Sequence, residues 1–189
     1  MRGTILSVAI TLGMMLAAGA RADSPDTRPS AGTIGDVRIQ TLKPYSYAFV
    51  STHATLNTLQ KAIAELMPKL DAAQDAGKLR VMGPVIFTYH GASADPDKEF
   101  TLDIGLMVKD GTTAPDGIQL INVGASTCAT ILYTGDASRL GEAYGKLYGE
   151  IGRRGLQPSD ISREVYYYWE SADSPNNLIG VQAELNPGN

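Results

Sequence analysis

The sequence has few of the residues that build covalent or metal-bound scaffolds. Its 189 residues include one cysteine, Cys128, and two histidines, His53 and His90. A single cysteine cannot form an intramolecular disulfide, so packing has to stabilise the fold. Neither histidine has a cysteine or an acidic pair at the spacing of a metal site. We therefore expect no metal and no cofactor.

Positive charge is also scarce. The chain has 16 lysine and arginine residues against 20 aspartate and glutamate residues, for a net charge of −4. Proteins that bind nucleic acids need clustered basic side chains to neutralise phosphates. We therefore expect no nucleic-acid partner. The sequence also lacks a Ser-His-Asp order, a nucleophile elbow and a phosphate-binding glycine loop.

One long apolar run is present, at the start of the chain. Met1-Arg2 supplies a positive charge, residues 5–16 are uncharged and mostly apolar, and Ala20-Arg21-Ala22 has the small residues of a cleavage site. This order is typical of a cleavable secretory signal. Roughly 12 helical residues span about 18 Å, which is short of the roughly 30 Å of a bilayer core. We predict export to the periplasm or beyond, with no stable membrane anchor after cleavage.

Three regions follow from the composition. Residues 1–22 are the predicted signal, and residues 23–35 are rich in Pro, Ser, Thr, Asp and Gly, as flexible tethers are. Residues 36–187 are predicted to form a single domain. The sequence does not determine an oligomeric state.

Within this domain the same order of elements occurs twice, in about residues 36–110 and 117–186. Hydrophobic periodicity predicts the following elements in the two copies: strands at 37–42 and 47–52, a helix at 55–76, strands at 85–90 and 100–108; then strands at 119–123 and 128–133, a helix at 137–154, and strands at 164–169 and 178–185. Pro68 is expected to kink or end the first helix, and Gly77 to cap it.

These elements predict an α+β fold built from a duplicated β-α-β-β type unit. Neither helix alone can cover the apolar face of its strands, so the two halves are expected to merge into one largely antiparallel sheet with both long helices on one face. A ligand groove is expected at the pseudo-twofold seam, on the face opposite the helices.

Several segments resemble a known family. They are Gly83-Pro84 before a strand that leads to Phe100–Val108, Tyr133-Thr134-Gly135 before the helix at 140–148, and Arg163-Glu164-Val165-Tyr166 after Arg153–Leu156. In this order they resemble the GyrI-like effector-binding domain, the small-molecule-binding part of many bacterial transcription activators, including AraC-type proteins. The resemblance implies an exported, stand-alone member, because a signal and a tether stand where the DNA-binding segment would be.

The chain departs from the family at two points near the expected pocket. Gly135-Asp136-Ala137 stands where the family commonly has Gly-Pro-Tyr, and Glu150 stands where many members have a tryptophan. Both differences concern the shape of the pocket rather than the fold.

Glu164 is the first candidate site residue. It opens a strand of aromatic residues and by period two shares a face with Tyr166 and Tyr168. A carboxylate among aromatic rings is poorly solvated, and a bound cation can compensate its charge. In the resembling family the matching glutamate lies at the bottom of the pocket and faces lipophilic cations. The expected ligand-binding residues are Glu164, Tyr166, Tyr168, Tyr89, Phe87, Tyr133, Tyr144, Tyr47 and Trp169.

The favoured function is therefore an exported protein that captures an amphipathic, cationic small molecule in an aromatic pocket with a central glutamate. Two alternatives remain open. One is a GyrI-like hydrolase of strained electrophilic small molecules, with Glu164 acting as a general base on water. The other is a protein-interaction or sensory module of the cell envelope.

Export gives the first testable prediction. Mass spectrometry of the protein recovered from the periplasm or medium should find a mature N-terminus at or near Asp23, because the small residues at positions 20 and 22 fit the signal peptidase. Changing Ala22 to Tyr should block processing, whereas changing Ala18 to Tyr should not. A mature protein that retains residue 1 would contradict the prediction.

Overall fold

The computed structural model describes residues 32–187, which contain nine strands and two long helices. The predicted signal and residues 23–31 of the predicted tether lie outside this range. The elements are β1 (Thr33–Ile34), β2 (Arg38–Leu42), β3 (Tyr45–Ala54), α1 (Leu59–Asp75), β4 (Val81–His90), β5 (Phe100–Val108), β6 (Gln119–Val123), β7 (Ser126–Thr134), α2 (Leu140–Arg153), β8 (Pro158–Tyr168) and β9 (Leu178–Leu185). Within residues 32–187 no helix combines the length and the apolarity needed to cross a bilayer.

All strands join one antiparallel sheet. Its order is β6-β3-β5-β4-β8-β9-β7, and β1 and β2 both pair with the outer edge of β7. The order is symmetric about the β4–β8 pair, since β4-β5-β3 on one side matches β8-β9-β7 on the other. The predicted α+β class and the antiparallel sheet are confirmed.

The first strand of each half pairs with the other half. Strand β2 lies beside β7, and β6 lies beside β3. The sequence analysis does not anticipate this exchange. Most residues of β2 and β6 are exposed, so their hydrophobic pattern predicts a strand without specifying its partner.

Both helices pack on one face of the sheet, as predicted. Each buries residues at three- and four-residue spacing. These residues are Leu59, Ala62, Ile63, Leu66, Met67, Leu70 and Ala73 in α1, and Leu140, Ala143, Leu147 and Ile151 in α2. They share a single core with inward-facing strand residues such as Ile104 and Val181.

A smaller core lies on the opposite face. It comprises Tyr47, Phe49, Ile86 and Val165. The rings of Tyr47 and Phe49 stack with their centroids 5.1 Å apart, and the Tyr47 hydroxyl donates to the carbonyl of Ile86 at 2.8 Å. Tyr47 is therefore held on the side of the sheet away from the helices.

The boundaries of α1 differ from the prediction. The helix begins at Leu59 rather than at residue 55, because Thr55 and Thr58 form a turn in which the Thr55 amide donates to the Thr58 hydroxyl at 2.8 Å. It continues through Pro68 to Asp75, so Pro68 does not end the helix, and the C-terminal end lies within one residue of the predicted position 76. Buried residues before and after Pro68 hold the helix on the sheet despite the missing hydrogen bond. Gly77 follows the helix at φ +68°, the left-handed conformation that glycine tolerates.

The sheet also includes residues before the predicted domain boundary at residue 36. Thr33 and Ile34 pair with Thr134 and Tyr133 of β7. The Gly35 carbonyl accepts a 2.7 Å hydrogen bond from Lys146 of α2.

The helix-side core gives a stability prediction. Leu147 of α2 is fully buried, so Leu147→Ala should lower the free energy of unfolding by about 2–5 kcal/mol, measured by urea denaturation, because it leaves a cavity under the helix. Leu132→Ala is the control, because Leu132 lies on β7 with 52% of its surface exposed, and its cost should stay near 0.5 kcal/mol. Equal losses for the two variants would contradict the packing described.

Candidate ligand-binding site

A cavity of about 630 Å³ lies between the two helices, above the seam of the sheet. Residues 140–148 of α2 form one wall. Leu56 in the turn before α1, Leu59 at its first position and residues 92–94 of the β4–β5 loop form the other side. Strands β4 and β8 supply the floor through Tyr89, Ser162 and Glu164.

The cavity is therefore on the helix face, and the prediction that the groove lies on the opposite face is wrong. The reason is where the helices pack. Helix α1 contacts β3 and β5, and helix α2 contacts β7 and β9. The two central strands, β4 and β8, are left uncovered between the helices, and the cavity fills this gap.

Glu164 lies in the floor of the cavity with 7% of its surface exposed. Three tyrosine hydroxyls donate to its carboxylate. Tyr89 of β4 and Tyr166 of β8 reach Oε2 at 3.0 and 2.6 Å, and Tyr144 of α2 reaches Oε1 at 2.9 Å. The two seam strands and α2 thus meet at a single carboxylate.

The electrostatics of this cluster follow from burial. Burial raises the pKa of Glu164, and the hydrogen bonds from Tyr166, Tyr144 and Tyr89 oppose this rise without cancelling it. Burial, together with the Glu164 charge, holds the pKa values of these tyrosines well above 10. The three hydroxyls therefore keep their protons at neutral pH and act as donors to Glu164.

Five of the predicted site residues form one cluster. Glu164, Tyr89 and Tyr144 line the cavity. Tyr166 lies behind them, with its hydroxyl on Glu164 and its ring 4.8 Å from the ring of Phe87. Phe87 is fully buried and pairs with Glu164 across the seam, so it supports the floor without lining it.

Four other predicted residues do not line this cavity. Tyr47 lies on the opposite face, and the buried hydroxyl of Tyr133 donates to the Asp136 carbonyl at 2.6 Å. Trp169 packs edge-on against Tyr166 with the ring centroids 5.5 Å apart. Tyr168 is half exposed and donates to Glu170.

Tyr168 also fails the predicted period-two alternation. Tyr166 pairs with Ile179, but Tyr168 pairs with the adjacent Leu178, because β8 carries one extra residue at this point. A β-bulge of this kind reverses which side chains face the helices. Tyr168 therefore does not share a face with Glu164.

Most residues that shape the walls were not predicted from the sequence. These are Leu56, Leu59, Leu140, Gly141, Gly145 and several small residues at the rim. A signal for the α2 wall exists in the sequence. Positions 141, 144, 145 and 148 repeat at three- and four-residue spacing beside the core positions 140, 143, 147 and 151.

Within the described range, no group of three histidine, cysteine, aspartate or glutamate residues could hold an ion. His90 instead pairs with Asp103 at 2.8 Å on the face away from the helices, and this contact raises the His90 pKa. Cys128 is buried.

The tyrosine cluster gives a prediction for Tyr144→Phe. Loss of this donor should raise the pKa of Glu164 further, because the ionised carboxylate loses a stabilising hydrogen bond. The carboxyl carbon signal of labelled Glu164, followed by NMR against pH, measures this directly. Since burial raises the folded-state pKa of Glu164 above its unfolded value, the contribution of this one group to the free energy of unfolding should be fully present below the unfolded pKa and be lost as pH rises through the folded one.

Tyr148→Phe is the matched control, one helical turn away. Within residues 32–187 the Tyr148 hydroxyl makes no hydrogen bond to Glu164, so the Glu164 titration should not move. A Glu164 pKa that stays unchanged in Tyr144→Phe would contradict the site geometry.

Comparisons with solved structures agree with this architecture. The C-terminal domain of EcmrR is 15% identical over 80% of this chain and 98% of its own, with a TM-score of 0.64. SAV2435 bound to tetraphenylphosphonium is 10% identical over 80% of this chain and 94% of its own, with a TM-score of 0.59. A hydrolase from Listeria innocua is 11% identical over 79% of this chain and 91% of its own, with a TM-score of 0.53. At these identities the likeness concerns the fold.

A search among curated proteins found no match. The model of the GyrI-like small molecule binding domain, in contrast, matches residues 35–179, which include both helices and the entire cavity floor. The chain therefore belongs to the GyrI-like small-molecule-binding family.

Proposed function

We propose that this protein binds a small amphipathic cation in the cavity between α1 and α2. The observation that carries the proposal is the buried carboxylate of Glu164. It is the one acidic group among the residues that line the cavity, and in the described range this lining includes no lysine, arginine or histidine. A single positive charge on the ligand would compensate it.

The hydrogen bonds of Glu164 define the kind of cation. A carboxylate offers about four acceptor positions, and three are taken by Tyr89, Tyr144 and Tyr166. A ligand rich in N–H donors would have to displace these hydroxyls. A quaternary or delocalised cation would interact through its charge alone and leave the tyrosines in place.

The walls suit the apolar part of such a ligand. Leu56, Leu59 and Leu140 face the cavity, and the rings of Tyr144 and Tyr148 stack with their centroids 6.5 Å apart along α2. Aromatic faces attract cations as well as apolar groups. The tetraphenylphosphonium bound to SAV2435 is a ligand of this class.

The site of action follows from the first 22 residues. Their charge and apolar pattern predicts export, so the proposed role is ligand capture outside the cytoplasm. There the protein would bind or buffer the cation without contacting DNA.

One observation favours a second candidate function. The raised pKa of Glu164 brings this carboxyl closer to the range in which a general base works, and a hydrolase from Listeria innocua shares the fold. Hydrolysis of a strained electrophile would need a water on the one free position of Glu164. Incubation with cyclopropane-bearing alkylators would reveal this activity as ring-opened product that disappears in Glu164→Gln.

Calorimetry tests the binding proposal. Tetraphenylphosphonium should bind tighter than about 1 mM, and Glu164→Gln should weaken it about tenfold or more, because the ligand loses its counter-charge. The wild-type affinity should also fall as pH falls through the Glu164 pKa, since the protonated carboxyl carries no charge.

Two controls isolate the charge. Triphenylphosphine oxide is a neutral molecule of similar shape, and Glu164→Gln should leave its affinity nearly unchanged. Glu142→Gln removes one negative charge from the exposed surface of α2 and should change cation binding less than twofold. An equal loss in both glutamine variants, or no binding by the wild type, would refute the proposal.

A further inference from the structure

Helix α2 presents two different faces. Leu140, Ala143, Leu147 and Ile151 are buried on the sheet. The adjacent face carries Gly141, Tyr144, Gly145 and Tyr148, all of which line the cavity. Apart from Leu140 at the first position of the helix, the wall contributed by α2 is thus an alternation of two glycines and two tyrosines.

Glycine is a poor choice for a helix. It has the greatest conformational freedom to lose on folding, and alanine at the same position is more favourable. Helix α2 nevertheless holds glycine at 141, 145, 149 and 152 among its 14 residues. The helix itself gains no stability from any of them.

Packing does not require these glycines either. A Cβ atom added at Gly141 or Gly145 meets no atom within 4 Å, and both residues have negative φ angles. The same holds at Gly149, which is outside the set of residues described as lining the cavity. At Gly141 and Gly145 the open space beside the helix is the cavity, so a side chain there would enter the volume that a ligand would occupy.

We infer that Gly141 and Gly145 set the size of ligand that the cavity accepts, by giving up helix stability to make room for a bulky ring system beside Tyr144 and Tyr148. This inference rests on the proposed function, because it assigns a specificity to the same site. It names the ligand's shape: a multi-ring body that lies along α2 while its charge faces Glu164.

The chain supplies a matched pair of positions for the test. Gly145 and Gly149 both lie in the interior of α2, four residues apart, and only Gly145 lines the cavity. Gly145→Ala and Gly149→Ala should each raise the melting temperature by about 2–4 °C, because both improve the helix. Gly145→Leu and Gly149→Leu then test the effect of filling space beside the helix, which at Gly145 is cavity volume. Leucine is also a good helix former, so these variants should not weaken the helix.

Calorimetry with tetraphenylphosphonium and triphenylphosphine oxide gives the readout. Gly145→Leu should weaken both probes about tenfold or more, and Gly145→Ala should weaken them by a smaller factor, whereas Gly149→Leu should change either affinity less than twofold. Melting curves of all four variants establish that each is folded. If Gly145→Leu does not fold, the comparison of Gly145→Ala with Gly149→Ala decides.

The two probes separate this inference from the proposed function. Binding of the neutral probe without the cation would refute cation capture, yet the Gly145 variants would still report the size limit through the neutral probe. Equal effects of the Gly145 and Gly149 variants would overturn the inference while leaving cation capture intact. No binding of either probe to the wild type would overturn both.

Discussion

The site depends on one buried carboxylate and the three hydroxyls that hold it. Glu164 would be costly in a low-dielectric floor without partners, and Tyr89, Tyr144 and Tyr166 supply them from the two seam strands and α2. These bonds stabilise the charge only in part, because burial still raises the Glu164 pKa. A bound cation would offset the part of the desolvation cost of the ionised carboxylate that these hydrogen bonds leave uncompensated. The cluster also ties α2 to the seam, so the same interactions position the cavity wall and define its electrostatics.

The cavity exists because the two helices pack away from the centre of the sheet. Each helix covers the strands of its own half, α1 on β3 and β5 and α2 on β7 and β9. The seam strands β4 and β8 therefore present Tyr89, Ser162 and Glu164 to the cavity between the helices. Such a side chain is supported from behind by the sheet and bordered by the helices, which is why Glu164 can be largely buried and still line a cavity.

Much of this could be predicted from the sequence. Periodicity located both helices and most of the strands, and the isolated Glu164 within an aromatic strand pointed to a residue that the structure places in the cavity lining. The errors have physical causes. Periodicity reports which face of an element is buried but not where helices pack relative to a seam, so the groove was expected on the wrong face. The bulge between Tyr166 and Tyr168 breaks an alternation that the sequence presents as continuous. Pro68 is tolerated because tertiary packing outweighs a lost hydrogen bond.

The exchanged strands β2 and β6 have a consequence for how a ligand enters. Each half of the sheet carries, at its outer edge, a strand that belongs to the other half. The two halves are therefore hydrogen-bonded to each other at both outer edges of the sheet as well as along β4 and β8. A hinge-like opening at the seam would have to break strand pairs in three places at once. A ligand that enters without breaking these strand pairs has to pass between the elements that border the cavity on the helix side of the sheet, namely α1, α2 and the β4–β5 loop.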